Sequence, residues 1–213
     1  AAGLNKATCH RLLTELESRG LLEQTGPARE YRLGPAVLRL SALREAAVPT
    51  REAAMPILRR LAETTGETAH LSHLVAGKLQ TLAFAYASRG GVKVMMEDAD
   101  ILPFHATSSG AAVLAFGADP ETLIAASPDP DALRDDLAQI RSRGFATSAG
   151  ERQAGAASGA APVLDHSGRP VASISVCGPA ERLADELDHA ASLLLDATAR
   201  ISTRLSHRAK TET

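Results

Sequence analysis

The chain has 213 residues, 45% hydrophobic and 23% charged, which suits one large globular domain or a small domain joined to a medium one. Aromatic residues are only 3% and Trp is absent, which argues against a stacking platform for single-stranded nucleic acid. The net charge of −2 hides an asymmetry: residues 1–45 carry seven Lys/Arg against five Glu, so a mildly basic head precedes an acidic body. Cys9 and Cys177 lie too far apart in sequence to suggest a disulfide framework or a zinc spacing, as in a reducing cytoplasm, and no run of about 18 apolar residues offers a membrane span.

The opening residues Ala1-Ala2-Gly3-Leu4 read as the middle of a domain, so further helices are expected ahead of them. Asn5 can cap a helix over 6–19, with Leu4 packing on Cys9 as a staple. Cys9, Leu12, Leu13 and Leu16 recur at helical spacing as an inward stripe, and Gly20 stops the helix. Two short strands follow around Thr25-Gly26-Pro27-Ala28, the second being Arg29-Glu30-Tyr31-Arg32-Leu33. A helix followed by a hairpin is the back half of a winged helix.

Pro35 is well placed as the first residue of a new helix, whose edge of Val37, Leu38, Leu40 and Leu43 suggests a linker that buries itself against a second copy. Pro49 closes it. The expected organisation is a DNA-binding head over 1–34, a linker helix over 35–48 and a second domain over 49–213. That domain opens with a helix capped by Thr50, with Ile57, Leu58 and Leu61 inward and Gly66 as its stop. Residues 67–75 and 79–88 alternate around Ala76-Gly77-Lys78 as a hairpin. A short strand is expected near 92–96, then helices near 107–117, 119–126 and 130–143, the last capped by Asp129-Pro130. Strands return at 145–148, 158–164 and 170–177, and a helix from 181 to 206 carries Leu187, Ala191, Leu194, Thr198, Ile201 and Leu205. The grouping predicts an α+β fold with an antiparallel sheet.

With its stripe inward, the first helix turns Ala7, Arg11, Thr14 and Ser18 outward, with Thr8 and His10 on the flanks and Lys6 at its start. Small residues permit close approach to a major groove, and Arg, Thr and His supply donors for phosphate and base edges; an ordinary solvated face has the same look. Arg29 and Arg32 in the hairpin favour the DNA reading, because a wing touches adjacent backbone.

Strand periodicity makes a separate point. Over 170–177, Ala172, Ile174 and Val176 share one face while Val171, Ser173, Ser175 and Cys177 share the other. That pattern suits a sheet with core on one side and a ligand cavity on the other. Ser108-Ser109 falls at a helix start, where free N–H groups and the dipole favour an anion. Ser148 and Ser158 are further small hydrogen-bonding residues near element ends. His70-x-x-His73 has a ligand-like spacing, but positions three apart on a strand face opposite ways, so no metal site is expected there; His73 reads as a core or pocket histidine. Cys177 as an enzyme nucleophile would need an activating partner, and no paired His/Asp is evident from spacing.

The segment Gly3-Leu4-Asn5-Lys6-Ala7-Thr8-Cys9-His10-Arg11-Leu12-Leu13 and the wing end Tyr31-Arg32-Leu33-Gly34 resemble the IclR family of transcription regulators. The resemblance continues in order through Glu67-Thr68-Ala69-His70-Leu71, Leu102-Pro103-Phe104-His105-Ala106-Thr107, Ile140-Arg141-Ser142-Arg143-Gly144-Phe145, Ala160-Ala161-Pro162-Val163 and Ser173-Ile174-Ser175-Val176-Cys177-Gly178-Pro179. It implies a winged helix-turn-helix, its first helices lying before Gly3, joined to a GAF/profilin-like α+β sensor domain. It further implies a double-stranded DNA operator met by Lys6, Ala7, Thr8, His10, Arg11, Thr14 and Arg29. A small carboxylate effector would be held by Leu102, Ser108, Ser109, Ser148, Glu151, Ser158, Ser175 and Cys177. Four positions depart from the family pattern: Cys177 stands for a Ser, Ser158 for a Cys, Ser148 for an Asp and Ala111 for a Lys. Dimers or tetramers in the cytoplasm, with no cofactor, complete the expectation. The alternatives are a sensor domain that does not bind DNA, or a cysteine-dependent enzyme.

Overall fold

In a computed structural model of the protein, residues 3, 5–27, 29–47, 50–117, 121–125, 127–150 and 154–209 are described, with backbone alone at 44–47, 122–123 and 204–209. Expectations placed on Ala1, Ala2, Leu4, Ala28, Pro49 and Glu151, and on the side chain of Leu205, lie outside these residues. The chain divides into two compact units, 1–50 and 51–213.

In the first unit, α1 (Lys6–Ser18) starts where the Thr8 N–H donates to the Asn5 side chain at 2.8 Å. It ends at Gly20, whose φ of +70° is open to glycine at little cost. The strands β1 (Leu22–Thr25) and β2 (Glu30–Leu33) pair antiparallel with Leu22 opposite Leu33. Gly34 is required by contact: a Cβ there would stand 2.2 Å from the Gly20 carbonyl oxygen. That approach lets the Gly34 N–H donate to Leu21 O and the Ala36 N–H to Gly20 O, locking hairpin to helix end. The next helix, α2, spans Ala36–Ala47, so Pro35 stands just ahead of it rather than as its first residue. The α1 stripe is also less covered than its spacing predicts. Cys9 and Leu13 are half-buried, but Leu12 and Leu16 remain 46% and 38% exposed. Within this unit α1 packs on β1, and a four-residue strand cannot cover a three-turn stripe.

The second unit begins with α3 (Thr50–Thr65), in which Thr50 is the first helical residue rather than its cap. Then come β3 (Thr68–Val75), β4 (Lys78–Ala85), β5 (Ile101–Leu102), α4 (Ser108–Phe116), α5 (Glu121–Ala125) and α6 (Pro130–Arg143). The chain closes with β6 (Ala146–Ser148), β7 (Ala156–Leu164), β8 (Pro170–Pro179), α7 (Ala180–Leu183) and α8 (Leu187–Ala209). The single helix expected over 181–206 is thus interrupted by a 3-10 turn at Ala184–Glu186. The six strands form one antiparallel sheet in the order β5-β4-β3-β8-β7-β6, so the unit is α+β.

The strand expected near 92–96 is irregular loop instead. Its polar groups are taken by side chains: the Thr68 hydroxyl donates to Val94 O at 2.9 Å, and the Met96 N–H donates to the Tyr86 oxygen at 3.1 Å. With these groups engaged, the edge partner of β4 becomes Ile101–Leu102.

The sheet has two unlike faces, as the alternation in β8 requires. Ala69, Leu71, Ala161, Val163, Ala172, Ile174 and Val176 meet Ile57, Leu58 and Leu61 of α3 and Leu194, Ala197 and Ile201 of α8 in the main core. The opposite face carries Thr68, His70 and Ser72 from β3 and Ser173, Ser175 and Cys177 from β8, all buried. Against it packs α4, with Leu137 and Ile140 of α6 behind. Cross-strand neighbours Thr81, Ser72 and Ser173 are 0–2% exposed and their hydroxyls have no protein partner.

At the rim of the sheet Glu67, 3% exposed, receives two hydrogen bonds from Arg182, at 2.7 and 2.9 Å. Arg182 also donates to Val92 O. Gly178 makes room, since a Cβ there would lie 2.4 Å from a Glu67 carboxylate oxygen. Arg182→Ala strands a buried carboxylate, and the urea unfolding midpoint should fall clearly below that of the unmodified protein. Ser173→Ala removes a hydroxyl with no protein partner and should leave stability unchanged or raised; a loss above about 1 kcal/mol would mean that the hydroxyl is bonded after all.

Candidate functional site

The site is built around the start of α4. Thr107 caps that helix: its hydroxyl oxygen accepts from the Gly110 N–H at 3.0 Å while its hydrogen goes to Pro103 O at 2.8 Å. A Cβ at Gly110 would fall 2.4 Å from Phe104 Cα and 2.5 Å from the carbonyl oxygens of Pro103 and Phe104, so only glycine lets the first turn dock there. Ser108 and Ser109 are thereby pressed against the polar face of the sheet, at 2% and 1% exposure.

Each serine meets a different strand. Ser108 Oγ lies 2.8 Å from Ser158 Oγ on β7. Ser109 Oγ lies 3.3 Å from Nε2 of His70 on β3, and His70 Nδ1 lies 3.9 Å from Cys177 Sγ on β8. Between this turn, the sheet and the 94–100 loop is a cavity of about 370 Å³, a size that fits a small metabolite. Ser148, Ser175, Leu102, Met96, Glu97 and Asp100 also border it.

Seven of the eight residues named as effector contacts therefore border one cavity: Leu102, Ser108, Ser109, Ser148, Ser158, Ser175 and Cys177. Glu151 lies outside the described residues. Ser158 and Cys177, the two positions whose residue types look exchanged against the family pattern, are direct cross-strand partners, and Ser148 faces Ser158 in turn. His70 was missed as a site residue. The alternation that puts it on the face of Thr68 and Ser72 was the available signal. His73, by contrast, pairs with Ala172 and does not border the cavity.

On the first unit, Lys6, Ala7, His10, Arg11, Thr14 and Arg29 are exposed and Thr8 is half-buried. Among the described residues Arg32 is ion-paired, to Glu23, whereas Lys6, Arg11 and Arg29 pair with no carboxylate. Arg29 sits at φ +56° in the hairpin turn.

Residues 45–203 match the family model for the bacterial transcriptional regulator IclR C-terminal domain. The chain belongs to the IclR family. The regulator BhcR of Paracoccus denitrificans is 33% identical over 191 residues, 84% of this chain and 68% of that protein. The transcriptional repressor IclR of Escherichia coli is 28% identical, over 87% of this chain and 72% of the repressor. Among solved structures, an IclR transcriptional regulator from Silicibacter sp. TM1040 superposes with a TM-score of 0.84 and 42% identity, covering 95% of this chain and 84% of the other. An IclR homologue from Microbacterium hydrocarbonoxydans, complexed with 4-hydroxybenzoate, superposes with a TM-score of 0.77 and 27% identity over 95% of this chain and 86% of its own.

These relatives are regulators of transcription rather than enzymes, and this IclR-family chain is one too. The thiol chemistry agrees. Sequence spacing showed no histidine beside Cys177, and the fold does bring His70 to it, since β3 and β8 are neighbours though far apart in sequence. Yet burial first, and the Glu67 charge second, push the Cys177 thiol from 9.0 up to about 12, which keeps it protonated at neutral pH. No group of three or more His, Cys, Asp or Glu side chains among the described residues is arranged to hold a metal ion. No helix of those residues is long and apolar enough to cross a membrane.

The raised thiol has a consequence in alkali. The unfolded chain gives up this proton near pH 9 and the folded chain only near 12, so the folded state holds more protons between those values. Stability should therefore fall as pH rises through that window. Cys177→Ala should make the fall shallower in denaturant titrations from pH 8.5 to 11; an unchanged slope would place the thiol in a less buried setting.

Proposed function

We propose that this chain is a DNA-binding regulator of the cytoplasm that reads an operator through its first unit and senses a small organic acid in the cavity of its second. The observation that carries the sensing half is the cavity itself. Two neighbouring strands and one helix start bring Ser108, Ser109, Ser158, Ser175 and Cys177 around a space of metabolite size. The Ser108 and Ser109 N–H groups begin a nine-residue helix, where the dipole favours a negative group. The bound 4-hydroxybenzoate of the Microbacterium homologue is an aromatic acid, and supports a carboxylate as the group recognised.

The DNA half rests on α1. Its outward face is small at Ala7 and Thr14 and cationic at Lys6 and Arg11, and these charges are not spent on carboxylates among the described residues. Lys6 and Arg11 would meet phosphate or guanine, Thr8, His10 and Thr14 base edges, and Arg29 the backbone beside the wing. Self-association belongs to the same reading, as a dimer or a tetramer: Leu38, Leu40 and Leu43 of α2 are 75%, 51% and 60% exposed, an apolar edge suited to a second copy. An acid that binds two states of the protein unequally then shifts operator affinity by that difference. We read the domain limits as a head over 1–34, a linker helix over 35–48 and a sensor over 49–213.

Gel retardation with DNA from upstream of the protein's own gene tests the head. Arg11→Ala should weaken binding by about 1–3 kcal/mol, and Lys6→Ala should lower the salt slope by about 1. No retardation of any fragment at low salt would leave a sensor that does not bind DNA.

A further inference from the structure

The hydrogen bonds around His70 form a chain whose direction can be worked out. Its two ring nitrogens reach Ser109 Oγ at 3.3 Å and Cys177 Sγ at 3.9 Å, and all three residues are at least nine-tenths buried beside the cavity. In a neutral imidazole one nitrogen donates and the other accepts. If Nδ1 carried the hydrogen, it would be offered to a thiol sulfur, a poor acceptor, and the S–H would be left with no basic partner. With the hydrogen on Nε2, the S–H meets a good acceptor and the stronger N–H donor meets a hydroxyl oxygen. The thiol is protonated at neutral pH and so has that hydrogen to give.

We propose that His70 is a positioning residue for the effector: it accepts from Cys177 at Nδ1, donates from Nε2 to Ser109 Oγ, and so leaves the Ser109 hydroxyl hydrogen to be donated into the cavity. A hydroxyl held this way selects the charge state of what it meets. A carboxylate oxygen accepts its hydrogen, as it accepts the N–H groups at the start of α4. A primary amide in the same place turns an NH2 group towards donors at one of its two ends, and that contact is repulsive. His70 therefore makes the site discriminate an acid from its neutral amide by fixing the direction of one hydroxyl. The inference rests on the effector reading of the cavity given above.

Titration calorimetry on the full chain tests it with matched pairs: acetate and acetamide, lactate and lactamide, benzoate and benzamide, 4-hydroxybenzoate and 4-hydroxybenzamide. The unmodified protein should bind at least one acid about tenfold more tightly than its amide. His70→Leu frees the Ser109 hydroxyl to turn, so acid affinity should drop about tenfold while amide affinity changes little, and the preference collapses. His70→Gln, whose amide nitrogen reaches where Nε2 stood, should restore most of it. Ser109→Ala should abolish the preference, and adding His70→Leu to it should cost nothing more. A preference that survives His70→Leu, or acid and amide affinities that fall together, would overturn the role of His70 and leave the cavity reading standing. If the unmodified protein binds none of the acids, the effector reading itself falls, and this inference with it.

Discussion

The close approach between the first turn of α4 and the backbone at Pro103–Phe104 is the constraint on which the cavity side of the sheet depends. It exists because residue 110 has no side chain and because Thr107 ties the helix start to Pro103 through one hydroxyl used as both donor and acceptor. A helix start set further out would carry Ser108 and Ser109 away from β7 and β3, and their contacts with Ser158 and His70 would open. Depth of docking thus decides whether five small polar residues form a site or a scatter of hydroxyls.

The sheet beneath that helix is a compromise between two demands. Its face towards α3 and α8 is mainly apolar and holds the unit together by burial, at roughly 25 cal/mol per Å² of apolar surface. Its other face is lined with serine, threonine and histidine, groups that stabilise little by burial and cost free energy if left unbonded. Near the cavity these groups find partners: Ser158 and His70 meet Ser108 and Ser109 of α4, and Thr68 meets Val94 O. One step along the same strands, at Thr81, Ser72 and Ser173, they have no protein partner. The polar character needed at one end of this face extends beyond the place where it is used.

Much of this was legible in the sequence, and unevenly so. Alternation in 170–177 separated the two faces of β8 before any fold was known, because period two is a property of the extended chain itself. The helix start at Ser108 was legible too, through its position and its pair of serines. Three things were not. The 92–96 strand failed because its polar groups are claimed by Thr68 and Tyr86, residues 26 and 10 positions away in sequence. The α1 stripe looked like a buried face because spacing records which residues share a side, and not how much surface is available to cover it. His70 escaped because its importance lies in bonds to residues 39 and 107 positions away, which local pattern cannot show.

The pair Ser158 and Cys177 shows how the two kinds of information complete one another. Read along the chain, these are two separate departures from a family pattern, each seeming to alter the cavity in its own way. Read across the sheet, they are one cross-strand pair, so a single row holds a hydroxyl and a thiol side by side. Which of the two positions carries the thiol matters, because each has a different neighbour. The hydroxyl at 158 is the one that reaches Ser108 at 2.8 Å, and the thiol at 177 is the one buried against His70. A sulfur at 158 would meet Ser108 with a weaker, longer bond, and an oxygen at 177 would offer His70 a stronger one. Placing the weak donor against the imidazole and the strong one against α4 biases the site towards a firmly held helix start and a more loosely held histidine.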